Sequence, residues 1–133
     1  MMNKTLTVSV FLAALLLAAS GGALAQASGI KRAVVTKADV AAPGHEAVVA
    51  RVELEPGVVA GRHTHPGDEI SYVLEGEGEL LIEGEDPRRV KAGDAFVIPA
   101  GKVHDARNVG GTVMKLVGVY VVEKGKPLAT PAK

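Results

Sequence analysis

Turn-forming residues interrupt this chain about every 8–12 residues, and that punctuation limits the fold more than any other feature. Glu55-Pro56-Gly57, Pro66-Gly67-Asp68, Gly84-Glu85-Asp86-Pro87 and Pro99-Ala100-Gly101 each combine residues that set turn geometry. Short apolar runs lie between them, at residues 33–36, 47–54, 58–65, 69–74, 78–82, 95–98, 103–109 and 112–122. In residues 47–54, Ala50, Val52 and Leu54 alternate with Arg51 and Glu53, a period of two that fits a strand buried on one side. No segment keeps a helical period, so an all-β sandwich or barrel is expected.

The first residues read differently. Lys4 precedes an apolar run at residues 6–19, and Ala23-Leu24-Ala25 follows. A basic start, a short apolar centre and an A-x-A close make a secretory signal peptide over residues 1–25. The run is shorter than the ~20 residues needed to cross a bilayer, so no lasting membrane anchor is expected. No Arg-Arg pair precedes it, which favours the general secretory route. The protein is therefore expected in the periplasm or outside the cell. Cleavage after Ala25 removes 25 of 133 residues and leaves 108, enough for one core. Residues 26–124 are read as that domain, and 125–133, with Pro127 and Pro131, as a flexible or surface-draped tail.

Removing Lys4 leaves 14 basic against 15 acidic residues, a net charge of about −1. No basic stripe suggests a nucleic-acid partner. The chain has no cysteine, which rules out thiolate ligands, a cysteine nucleophile and a lipid-modified cysteine.

Three of the four histidines fall in two compact clusters. The first is Gly57-x5-His63-x-His65-x3-Glu69-x6-Gly76, the second Gly93-x5-Pro99-x-Gly101-x2-His104-x3-Asn108. On a strand, His63 and His65 leave the same face with Cα atoms ~6.5–7 Å apart, so both imidazoles can reach one ion at ~2.1 Å. The Pro66-Gly67-Asp68 turn is expected to reverse the chain and start a neighbouring strand at Glu69. Ser71 and Val73 share the parity of Glu69 and should point inward, with Ile70, Tyr72 and Leu74 outward. Ala106 and Asn108 share the parity of His104, with Val103, Asp105 and Arg107 facing away. Asn108 is expected to hydrogen-bond its own turn. Met114, Leu116 and Tyr120 share one face of the last long run and are candidate pocket-lining residues. The opposite face (Val113, Val117, Val119, Val121) is equally apolar. His45 and the acidic run from Glu75 to Asp86 read as solvated surface.

Both clusters resemble the two signature motifs of the cupin superfamily at every defining position, across residues 57–108. The resemblance implies a single antiparallel jelly-roll β-barrel. It implies one divalent metal ion held by His63, His65, Glu69 and His104. Such sites resemble octahedral centres with open positions, which suits iron, manganese, nickel, cobalt or copper; a closed tetrahedral site would suit zinc. Similar small cupins are often compared with quercetin dioxygenases. The resemblance thus implies a dioxygenase-like oxidoreductase acting on a small enol, diketone or phenolic compound. Only Tyr72, Phe96 and Tyr120 are aromatic after residue 25, too few to furnish a large flavonoid pocket. One alternative is a metal-dependent lyase, although the cyanohydrin-cleaving cupins carry Gln where this chain has Glu69. Another is a non-catalytic module that binds a metal or small ligand. Outward Ile70, Tyr72 and Leu74 suggest a homodimer, since pairing outer strands covers sheet edges.

Overall fold

The computed structural model describes residues 28–133; the signal segment expected at 1–25 lies outside them. Ten antiparallel strands form two five-stranded sheets. They are β1 (Ile30–Asp39), β2 (His45–Leu54), β3 (His63–Thr64), β4 (Gly67–Glu75), β5 (Glu77–Ile82), β6 (Arg88–Lys91), β7 (Ala95–Ile98), β8 (His104–Arg107), β9 (Met114–Glu123) and β10 (Thr130–Pro131). One sheet runs β1-β2-β9-β4-β7, the other β10-β3-β8-β5-β6. The fold is all-β, as the punctuation requires.

Alternation decides which side chains meet between the sheets. Val48, Ala50, Val52 and Leu54 of β2 are buried, as are Met114, Leu116, Tyr120 and Val122 of β9. Val117, Val119 and Val121 are half-buried on the outer face, so packing settles what composition left open in β9. Glu69, Ser71 and Val73 of β4 point inward, while Ile70, Tyr72 and Leu74 stay 43–49% exposed. Burying each Leu or Val of this core contributes about 1.5–3 kcal/mol. Two glycines permit close approaches. A Cβ on Gly67 would lie 1.9 Å from the Val121 carbonyl oxygen, so β4 can start tight against β9. A Cβ on Gly118 would strike the Tyr120 ring at 2.6–2.8 Å.

Four expectations are corrected or narrowed. Residues 58–65 are not one strand: only His63–Thr64 is extended in a ladder, with an isolated bridge from Val59 to Arg107. Gly61 breaks the run with φ of 93°, and its N–H is taken by Asp105 Oδ1 at 2.9 Å. That contact explains the second difference. Asp105 does leave the face opposite His104, yet it is buried, because the 58–62 segment covers it. Third, Pro66-Gly67-Asp68 is not a hairpin turn. β3 pairs with β8 and β10, β4 pairs with β9 and β7, so the chain passes there from one sheet to the other. Fourth, of the two alternatives for residues 125–133, flexible or draped on the surface, the structure has the draped one. Leu128 packs against Val48, Ala50, Tyr120 and Val122, β10 pairs with β3, and Ala132 N–H donates to the Arg62 carbonyl at 2.9 Å.

Candidate metal centre

His63 opens β3 and lies directly opposite His104 at the start of β8. His65 follows β3 at the corner between the sheets. Glu69 reaches in from β4, opposite Tyr120 and Ile98. These elements bring one potential ligand atom from each of the four residues within 4.8 Å of all the others. The imidazole centroids are 4.3 Å apart for His63 and His104, 4.8 Å for His63 and His65, and 5.1 Å for His65 and His104. His65, Glu69 and His104 are buried and His63 half-buried.

Hydrogen bonding fixes the ring orientations. His63 Nδ1 faces the Gly61 carbonyl at 2.6 Å, His65 Nδ1 the Leu128 carbonyl at 2.5 Å, and His104 Nδ1 the Lys102 carbonyl at 2.9 Å. A carbonyl oxygen only accepts, so each Nδ1 carries the proton and donates it. Each neutral ring therefore presents its lone pair from Nε2. Glu69 is held in turn by Ser71, whose hydroxyl donates to Oε1 at 2.6 Å.

The site is electrostatically tense without a cation. Burial pushes the His63 imidazole down to about 4, with the like-charged neighbours His104 and His65 acting the same way. Burial also pulls on His104, but its hydrogen bonds to Glu69 and the Lys102 carbonyl prevail and raise it. Burial would raise Glu69; its contacts with His104, His65 and Ser71 outweigh that and hold it below the carboxylate range. His104 Nε2 lies 3.1 Å from Glu69 Oε2, a contact that becomes a hydrogen bond only when the ring carries its second proton. His65 Nε2 is 3.0 Å from the same oxygen and is buried without a hydrogen-bond partner. A buried polar atom of that kind costs about 1–3 kcal/mol unless something satisfies it. Three imidazole nitrogens and a carboxylate fit a divalent first-row ion, and such an ion would satisfy His65 Nε2.

A cavity of about 40 Å³ opens onto His63, Glu69 and His104. Of the residues read as pocket lining, Ala106, Leu116 and Tyr120 border it. Ser71 supports Glu69 instead, while Val73 and Met114 belong to the hydrophobic core. Asn108 is buried, donates to the Leu54 and Thr112 carbonyls, and accepts from Gly110 N–H. Tyr120 packs on His65 with ring centroids 4.7 Å apart, and burial with the Glu69 charge raises its phenol, keeping it protonated. Two participants escaped the sequence reading. One is the Leu128 carbonyl, a backbone group that carries no sequence signal. The other is Arg32, which borders this cavity and an adjoining one of about 90 Å³. Its place opposite Val52 exists only once β1 lies along β2, so the sequence carried no signal for it.

Residues 50–123 match the Cupin domain family. The chain is 38% identical over 74 residues to an oxalate-binding protein of Thermotoga maritima, covering 55% of this chain and 60% of that protein. It is 39% identical over 66 residues to the dimethylsulfoniopropionate lyase DddQ of Ruegeria pomeroyi, covering 50% of this chain and 33% of the lyase. The chain thus spans between a third and under two thirds of these relatives. Among solved structures, a conserved double-stranded β-helix protein of Klebsiella pneumoniae superposes with a TM-score of 0.66 at 25% identity, over 80% of this chain and 86% of that one.

Proposed function

The chain belongs to the cupin family, and from that premise we propose that it is a mononuclear metalloenzyme that acts on a compact oxygen-bearing molecule. One observation carries the reading: all three Nδ1 protons are committed to backbone carbonyls, so the three Nε2 lone pairs converge with Glu69 on one point. A divalent ion bound there would supply Lewis acidity and, if it were iron or copper, electron transfer to dioxygen. His63, His65, His104 and Glu69 would hold the ion, and the Ser71 hydroxyl orients Glu69. Leu116 and Phe96 line the cavity with apolar surface that limits water, and Tyr120 offers a neutral phenol as hydrogen-bond donor.

Within that reading the reaction is dioxygenase-like oxidation of a small enol, diketone or phenolic compound. Four protein ligands leave an octahedral ion two positions, room for substrate and dioxygen together. The small cavity favours compact substrates. A second reading, redox-neutral elimination, is favoured by the likeness to a lyase together with the protonated Tyr120 beside the site. Export through residues 1–25 and a homodimer through the exposed Ile70, Tyr72, Leu74 and Val97 face belong to the same proposal.

The test loads metal-stripped protein with iron, copper, manganese, cobalt, nickel or zinc in turn. Mass spectrometry then counts the bound metal, and oxygen uptake is followed over a panel of enols, diketones and phenols. The expected result is one ion per chain and oxygen uptake that His104→Ala abolishes. Anaerobic turnover without uptake would support elimination. Metal uptake with no turnover of any kind would reduce the protein to a binding module. No metal uptake would overturn the whole proposal.

A further inference from the structure

The three imidazoles are not supported alike. His63 and His104 each donate Nδ1–H to a carbonyl two residues back in their own segments, that of Gly61 and that of Lys102. His65 donates instead to the Leu128 carbonyl, 63 residues further along the chain. The Gly101 N–H donates to the His65 carbonyl at 3.0 Å, so the neighbouring turn places the backbone of this residue. Its ring is another matter: among the described residues, Leu128 supplies the one hydrogen-bond acceptor for His65 Nδ1.

The segment that carries this carbonyl is lightly attached. It leaves β9 through Gly125, whose φ is 78°, and ends in β10, a two-residue strand at the edge of its sheet. Pro127 and Pro131 have no amide hydrogen to donate. Leu128 is its one side chain packed against a core cluster, and that side chain is only half-buried. Beyond it, β10 meets β3 through two residue pairs, and the Ala132 N–H reaches the Arg62 carbonyl. A segment with so few buried contacts opens locally at far less cost than the long ladders of β2, β9 and β4. Beneath it, a cavity of about 90 Å³ is bordered by His63, His65, Leu128 and Ala129, so opening the segment exposes two of the ligand imidazoles.

We propose that residues 124–133 form a clasp that sets the cation affinity of the metal centre, with the Leu128 carbonyl as the positioning group for the His65 ring. Closed, the clasp keeps the His65 proton on Nδ1 and leaves Nε2 beside Glu69 Oε2, 3.0 Å away. Open, it frees the ring to rotate and to lose that tautomer. The inference rests on the metal-centre reading above and adds a control on it. Coupling between two events is reciprocal, so a cation that gains from the closed clasp must hold the clasp closed by the same factor.

Two measurements on the full chain test this, with zinc as the probe. Hydrogen exchange of the wild type needs no substitution. Saturating zinc should slow exchange of the Ala132 amide about tenfold and leave that of Lys91, at the other edge of the same sheet, unchanged. Competitive chelator titration then compares wild type, Leu128→Gly, Ala132→Pro and His65→Ala, with circular dichroism on each. Leu128→Gly removes the anchor and Ala132→Pro the N–H donated to Arg62, and neither residue is a ligand. Each should weaken zinc binding about tenfold. Combined with His65→Ala, each should add less than about a threefold loss, because the ring they position is gone. Unchanged exchange at Ala132 overturns the proposal, as does unchanged zinc affinity in both clasp variants. A full tenfold loss in the His65→Ala background overturns it too, since the segment would then act on the fold and not on the ring. Any of these with zinc still bound by the wild type sinks the clasp alone. A wild type that takes up no zinc sinks the metal-centre reading and the clasp with it.

Discussion

The two sheets contribute to the site in different ways. The first is regular: β2 and β9 have ten residues each, β4 nine, and their ladders run nearly unbroken. The second is built from strands of two to six residues. His63 and His104 come from the short-stranded sheet and His65 from the corner beside it, while Glu69 comes from the regular one. A complete ladder uses up its carbonyls on neighbouring strands. Short strands and the loops beside them leave carbonyls spare, and those of Gly61, Lys102 and Leu128 are the ones that take the imidazole protons. Glu69, set in a full ladder, must be oriented by a side chain, Ser71. Irregular backbone therefore supports the histidines, and regular backbone supports the carboxylate.

Three measurements press on this contrast. The largest effect should come from Asn108, just past β8 of the short-stranded sheet, whose side chain fastens that irregular end to Leu54 of the regular sheet. It ties the Leu54 and Thr112 carbonyls and the Gly110 N–H together while buried. Asn108→Ala strands these groups and should cost about 2–3 kcal/mol in urea denaturation. A loss under 0.5 kcal/mol would mean that the irregular end of the short-stranded sheet needs no side-chain tie. Next in size, Ser71→Ala should weaken metal affinity about tenfold in a competitive chelator titration. An unchanged affinity would show that the β4 ladder positions Glu69 unaided.

The smallest effect is a pH profile of metal-stripped protein. The folded His63 imidazole sits at about 4 against an unfolded 6.5, so the unfolded chain takes up that proton first as pH falls. Stability contributed by His63 is present above 6.5 and is lost between there and 4. His104, raised by its Glu69 partner, contributes stability that is complete below 6.5 and is lost as pH climbs through its folded value. Melting temperature should thus peak near neutrality, and His63→Asn should flatten the acid limb. An acid limb equally steep in His63→Asn would assign it to carboxylates elsewhere.

Much of this was legible in the chain before folding. The parity of Glu69, Ser71 and Val73 against Ile70, Tyr72 and Leu74 follows from strand geometry, and the structure keeps it. The spacing of His63, His65, Glu69 and His104 likewise pointed to residues that the fold brings together. The misses share a cause. Asp105 has the outward parity expected of it, yet a segment from elsewhere in the chain buries it. The Pro66-Gly67-Asp68 corner looks like a hairpin turn because local chemistry cannot report that the strands on either side join different sheets. Arg32 and Leu128 reach the site only because β1 and the segment after β9 close around it, and tertiary placement of that sort leaves no local pattern.

The position of β9 has a consequence for how the molecule comes into being. It lies between β2 and β4, with Leu54 against Met114 and Glu69 against Tyr120, so the middle of the larger sheet is empty until one of the last strands arrives. Such distant pairings are slow, since a long loop must close before any contact repays it. Glu69 faces Tyr120 of that strand and His65 donates to the Leu128 carbonyl beyond it, so the four side chains are not fixed together until the end of the chain has been made. On the proposed reading cation capture would then be a late event in biogenesis, and a nascent chain halted before residue 114 should hold a cation no better than a loose peptide.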